Sequence, residues 1–188
     1  MSAFVSSVPL EQPTLSLRDL RLYGFVAVFS VGNLVLPMAV HTLPQGGLIF
    51  LPIFFFTLVA AYRFGLAAGV MTALASPLLN HFVTGMPPTD VLLGVVVRSL
   101  LVAVFAAGLA RRTGRLSPWW LLLAAVVMQL GGFVVDLGLG GSVPAGLAVL
   151  RLGIPGVLIM AFGGYFVLRL LARSGIGAGR ANVAPEAR

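Results

Sequence analysis

The chain has no cysteine and no lysine, and only five of its 188 residues are acidic. Without cysteine there can be no disulfide and no thiolate metal site. The shortage of charge says more. Only 9% of the residues are charged, against about 25% in an ordinary globular domain. With 59% hydrophobic residues, and apolar runs of spanning length through most of the chain, the sequence reads as an all-α polytopic membrane protein embedded in a lipid bilayer. Arginine supplies all twelve cations, and the net charge is +7. The arginines sit at the ends of apolar runs, where they signal topology. No nucleic-acid partner is expected.

Other absences narrow the chemistry. The two histidines, His41 and His81, have no third ligand at metal-site spacing, so no metal is expected. There is no Ser/His/Asp set, no convincing carboxylate pair and no phosphate loop. Catalytic residues, enzymatic activity and a cofactor are therefore not expected. The first apolar run is too long for a signal-peptide core, and no clear cleavage site follows it.

What is present is six apolar segments, at residues 20–40, 47–62, 64–82, 90–110, 118–139 and 147–171. They make residues 18–173 one transmembrane domain. Residues 1–17 and 174–188 are read as poorly ordered cytoplasmic tails. In a six-span count, Arg18, Arg21, Arg63, Arg111, Arg112, Arg115, Arg169, Arg173, Arg180 and Arg188 fall on one side. The connections near 41–46, 83–89 and 140–146 contain no arginine. The positive-inside rule then puts both termini in the cytoplasm.

That topology gathers the remaining polar residues into the outer half: Asn33, His41, Thr42, Gln45, Asn80, His81, Asp90, Arg98, Gln129, Asp136 and Arg151. Residues 76–90 form a polar, Pro-broken corner between two spans, which suits either a binding mouth or a plain surface hairpin. Gln129, Phe133 and Asp136 share one helical face, and Asp90, Gly94 and Arg98 step by four along another. An intramembrane arginine costs at least about 2.5 kcal/mol at the centre of a span, so Arg98 must face protein or water. Asp136 could pair with Arg98 or with Arg151, and a ligand could take the other arginine. The candidate binding residues are Asn33, Gln45, Asn80, His81, Arg98, Gln129, Asp136 and Arg151. The two arginines suggest a ligand with an anionic or strongly accepting group. Two rows of small residues permit close helix approach: Gly24, Ala27 and Ser30 in the first span, and Gly65, Gly69 and Ala73 in the third.

Residues 32–65 (GNLVLPMAVHTLPQGGLIFLPIFFFTLVAAYRFG) and 76–88 (SPLLNHFVTGMPP) resemble the substrate-binding S components of energy-coupling factor (ECF) vitamin transporters. The similarity extends in general plan over residues 20–171. It implies six helices in a bacterial cell membrane and an outward-opening pocket for a vitamin-like small molecule. It also implies partners: a transmembrane coupling subunit and two ATP-hydrolysing subunits. Members often meet the coupling subunit through an alanine-spaced row on the first helix. Here Ala27 is followed four residues on by Val31, so Gly24, Ala27 and Ser30 are the nearest equivalent. A structural scaffold of the cell-shape machinery is the alternative, although a scaffold needs no deep charge. An intramembrane lipid enzyme ranks last, for want of a catalytic set.

Overall fold

The computed structural model describes residues 7–10, 13, 15–40 and 43–176. His41 and Thr42 lie outside these residues, as do most of the two tails. Six helical stretches among the described residues are long and apolar enough to cross a membrane. The first is α1 (Leu20–Val40). The second is built from α2 (Gly46–Phe50) and α3 (Pro52–Phe64). Then come α4 (Leu66–Thr84), α5 (Thr89–Thr113) and α6 (Pro118–Gly138). A shorter helix, α7 (Val143–Leu152), precedes the last stretch. That stretch runs through α8 (Ile154–Leu158), a π-helical turn at Ile159–Gly163 and α9 (Gly164–Arg173).

Helix α3 is the centre of the bundle, packed by α1, α4, α5 and α9. Leu58 to Tyr62 and Phe64 are wholly buried, and Phe54 and Phe55 nearly so. Phe54 and Phe55 thus belong to the core, and Phe56 is partly buried against it. Phe25 of α1 stacks on Phe64 with ring centroids 4.1 Å apart. Close approach on the other flank depends on Gly69: a Cβ there would lie 2.5 Å from that of Ala61. Gly65 does not share this role. Its φ of +87° makes it the break between α3 and α4, a conformation for which glycine carries no steric penalty.

Two expectations from the sequence are corrected. The segment read as one span over 147–171 is broken at Gly153, where α7 ends and α8 begins. Pro155 has no N–H to give the Arg151 carbonyl, so the hydrogen-bond ladder cannot continue. Within the N-terminal stretch read as a tail, residues 8–10 are held in place. Val8–Pro9 (β1) pairs antiparallel with Arg115–Leu116 (β2), Val8 opposite Leu116 and Pro9 opposite Arg115. Leu10 N–H donates to the Gly114 carbonyl at 2.9 Å, and the Leu10 and Leu116 side chains are buried.

These contacts give the bundle two chemically distinct ends. At one end Tyr62 Oη donates to the Arg115 carbonyl (2.6 Å), and Arg63 Nη2 donates to the Ile176 carbonyl (2.9 Å). The arginine-bearing ends of α1, α3, α5 and α9 meet there. Asn33, Asn80 and Gln129 lie toward the opposite end.

Candidate binding site

At that opposite end the bundle forms a half-open cavity of about 680 Å³. This falls within the roughly 300–1,000 Å³ common for small-molecule sites. One wall is the 43–45 segment with α2 and the start of α3. Another is the corner of Met86, Pro87 and Pro88. A third is the face of α5 formed by Val91, Val95 and Arg98, which are i, i+4 and i+7 apart. Val149 of α7 and Pro37 of α1 complete the apolar lining. The polar side chains are Gln45, Asn80, Arg98 and Gln129.

Each presents a different group. Gln45 is exposed at the rim, with φ +57°. Asn80 is buried, and both its N–H groups are engaged, by the Asn33 carbonyl at 3.0 Å and the Ser76 carbonyl at 2.9 Å. What it can offer a ligand is its side-chain oxygen, an acceptor. Gln129 is 5% exposed. Its Nε2 has no protein hydrogen-bond partner among the described residues. The amide fits because residue 153 is glycine: a Cβ there would stand 2.2 Å from Nε2. Leaving such a buried donor unpaired costs on the order of 1–3 kcal/mol.

Arg98 forms the ion pair with Asp136, through Nη2 and Oδ2. Its side chain is 13% exposed and that of Asp136 31%. The pair is therefore not fully desolvated. Gly94 and Gly132 make room for it on α5 and α6. Asp136 reduces the net charge that Arg98 shows to the cavity, while the remaining guanidinium N–H groups stay available as donors.

Four of the eight candidates from the sequence thus converge on one cavity: Gln45, Asn80, Arg98 and Gln129. The other four do not line it. Asn33 is fully buried and accepts from Phe56 N–H (2.9 Å) while donating to Thr57 Oγ1 and Ser76 Oγ (both 3.0 Å). It ties α1 to α3 and α4 and has no donor left for a ligand. His81 Nδ1 lies 2.8 Å from the Pro87 carbonyl. Since a carbonyl can only accept, Nδ1 carries the proton, and His81 steadies the corner that forms part of the wall. Asp136 acts through Arg98. Arg151 is exposed on α7. The spacing of Gln129, Phe133 and Asp136 put them on one face, and they meet three different neighbours. Gln129 abuts Gly153, Phe133 abuts Gly146, and Asp136 binds Arg98.

Sequence reasoning missed the apolar wall of Leu48, Ile53, Phe54, Val91, Val95 and Val149. The positions three and seven residues before Arg98, on its own helical face, were the available signal for Val95 and Val91. The proposed docking row also changes. Gly24 and Ala27 are exposed, whereas Ser30 is buried. At about 100° per residue, Ser30 stands roughly 120° round the helix from Gly24. Val31, which is 51% exposed, takes its place on that face.

No protein-family model, curated protein or solved structure matches the chain.

Proposed function

We propose that this chain is a membrane-embedded capture subunit for a small, vitamin-like molecule, drawn into the cell with the help of separate ATP-hydrolysing partners. One observation carries the reading: an apolar-walled cavity whose polar set includes a buried Gln129 Nε2 with no partner among the described residues, beside a charge-compensated Arg98. A bundle that served only as a scaffold would gain stability by filling this space and pairing that donor. The ligand suited to it is mostly apolar, carries a carbonyl or similar acceptor for Gln129 and Arg98, and has a donor for the Asn80 oxygen. Because Asp136 already compensates Arg98, a strongly accepting neutral group fits better than a free anion.

The arginine bias supports a cavity on the outside and both termini in the cytoplasm. The resemblance to ECF S components supplies the rest: a coupling subunit seated on the outward face of α1 around Gly24 and Ala27. Native mass spectrometry of protein released from nanodiscs tests the capture reading. A bound small molecule is expected on the natural chain and not on Gln129→Leu. A wild-type spectrum with no adduct, even after incubation with cell extract, would favour the scaffold alternative.

A further inference from the structure

A second hollow lies at the arginine-rich end, remote from the cavity. It is a groove of about 260 Å³ between β1, β2 and α9. Val8, Leu10, Leu116 and Ala172 give it apolar walls, and Arg169 and Arg173 stand over it. Residues four apart on a helix are neighbours on one face, so the two guanidinium groups address the same space. Arg169 is half-buried, with its Cζ 6.0 Å from the centre of the Tyr165 ring. A guanidinium held over a ring still has its N–H edge free to bind. Arg115, on the strand that faces β1, adds a third cation nearby.

Neither groove arginine is matched by a carboxylate among the described residues, where Arg98–Asp136 is the one ion pair. Five other arginines, at positions 18, 21, 63, 111 and 112, share this end of the bundle, and Asp19 is the described acid there. We propose that the groove binds a phosphate group, that of an anionic phospholipid headgroup. The forked donors of two arginines match phosphate oxygens. The groove sits at the helix ends of a bundle with six membrane-length helices, the level at which bilayer headgroups lie. Its apolar floor can take the first carbons of the lipid beneath the phosphate. The site is independent of the cavity and of the capture reading.

The test is thermal unfolding of detergent-solubilised full-length protein, titrated with short-chain phosphatidylglycerol, short-chain phosphatidylcholine or inorganic phosphate. Phosphatidylglycerol is expected to raise the melting temperature and phosphatidylcholine to do little. In the Arg169→Gln/Arg173→Gln double variant the apparent affinity for phosphatidylglycerol should fall about tenfold or more. The Arg111→Gln/Arg112→Gln variant removes the same charge at the same end outside the groove and should keep its response. Melting of each variant without lipid confirms that it is folded. An equal loss in both double variants would reduce the effect to general electrostatics and overturn the proposal. So would an undiminished response in the groove variant. Inorganic phosphate matching phosphatidylglycerol would overturn the lipid assignment.

Discussion

The Arg98 side chain occupies the space that a side chain on Gly132 would fill. A Cβ on Gly132 would lie 2.1 Å from Arg98 Nε and 2.7 Å from its Cγ. Arg98 can reach Asp136 from α5 only because α6 is bare at this point. Gly132→Ala should displace the arginine and lower stability by about 1–3 kcal/mol, the usual cost of overpacking. Gly108→Ala is the control. Nothing lies within 4 Å of that Cβ position, so this variant should be unchanged or about 0.5–1 kcal/mol more stable. Unfolding in detergent measures both.

The ion pair predicts a non-additive result. Asp136→Leu alone leaves Arg98 without its partner. It should cost about 2 kcal/mol, less than for a fully buried pair because Asp136 is 31% exposed. Adding Arg98→Met should recover much of that stability while still lowering ligand retention. A double-mutant cycle on unfolding, set beside the mass of co-purified ligand, separates the two roles. Additive losses would mean that the pair is not coupled.

Two small-residue positions should behave oppositely. Gly69→Leu drives a large side chain into Ala61 and should abolish the folded, monodisperse protein. Ala27→Leu lies on an exposed face and should leave folding and ligand binding intact. If that face seats a coupling subunit, the variant loses co-purification with it and loses ATP-dependent uptake. Normal uptake by Ala27→Leu would exclude the face.

The absence of cysteine makes the topology directly testable. Single cysteines at Thr89 and Val143, both exposed at the cavity end, should react with an impermeant maleimide in intact cells. One at Arg112 should react only after permeabilisation. Arg112 is a better site than Gly114, whose φ of +59° would strain a cysteine. Labelling of Arg112→Cys from outside would invert the orientation.

The sequence by itself determined the number of membrane-length segments and the segregation of arginine to one set of their ends. Both follow from local properties, apolar run length and charge position, which need no partner to be defined. It also determined which residues share a helical face, as with Gln129, Phe133 and Asp136. Periodicity does not say what covers a face, and that was left to tertiary packing. Asn33 and Asn80 are both buried amides in neighbouring helices, yet Asn33 is fully engaged by α3 and α4 while Asn80 borders the cavity. Of Arg98 and Arg151, packing gave Asp136 to Arg98, for which Gly94 and Gly132 leave room, and left Arg151 exposed. The same dependence on neighbours buried Ser30. At Gly153 the local Pro155 broke the helix, and packing brought the bare Cα of Gly153 up to the Gln129 amide, whose Nε2 has no partner among the described residues.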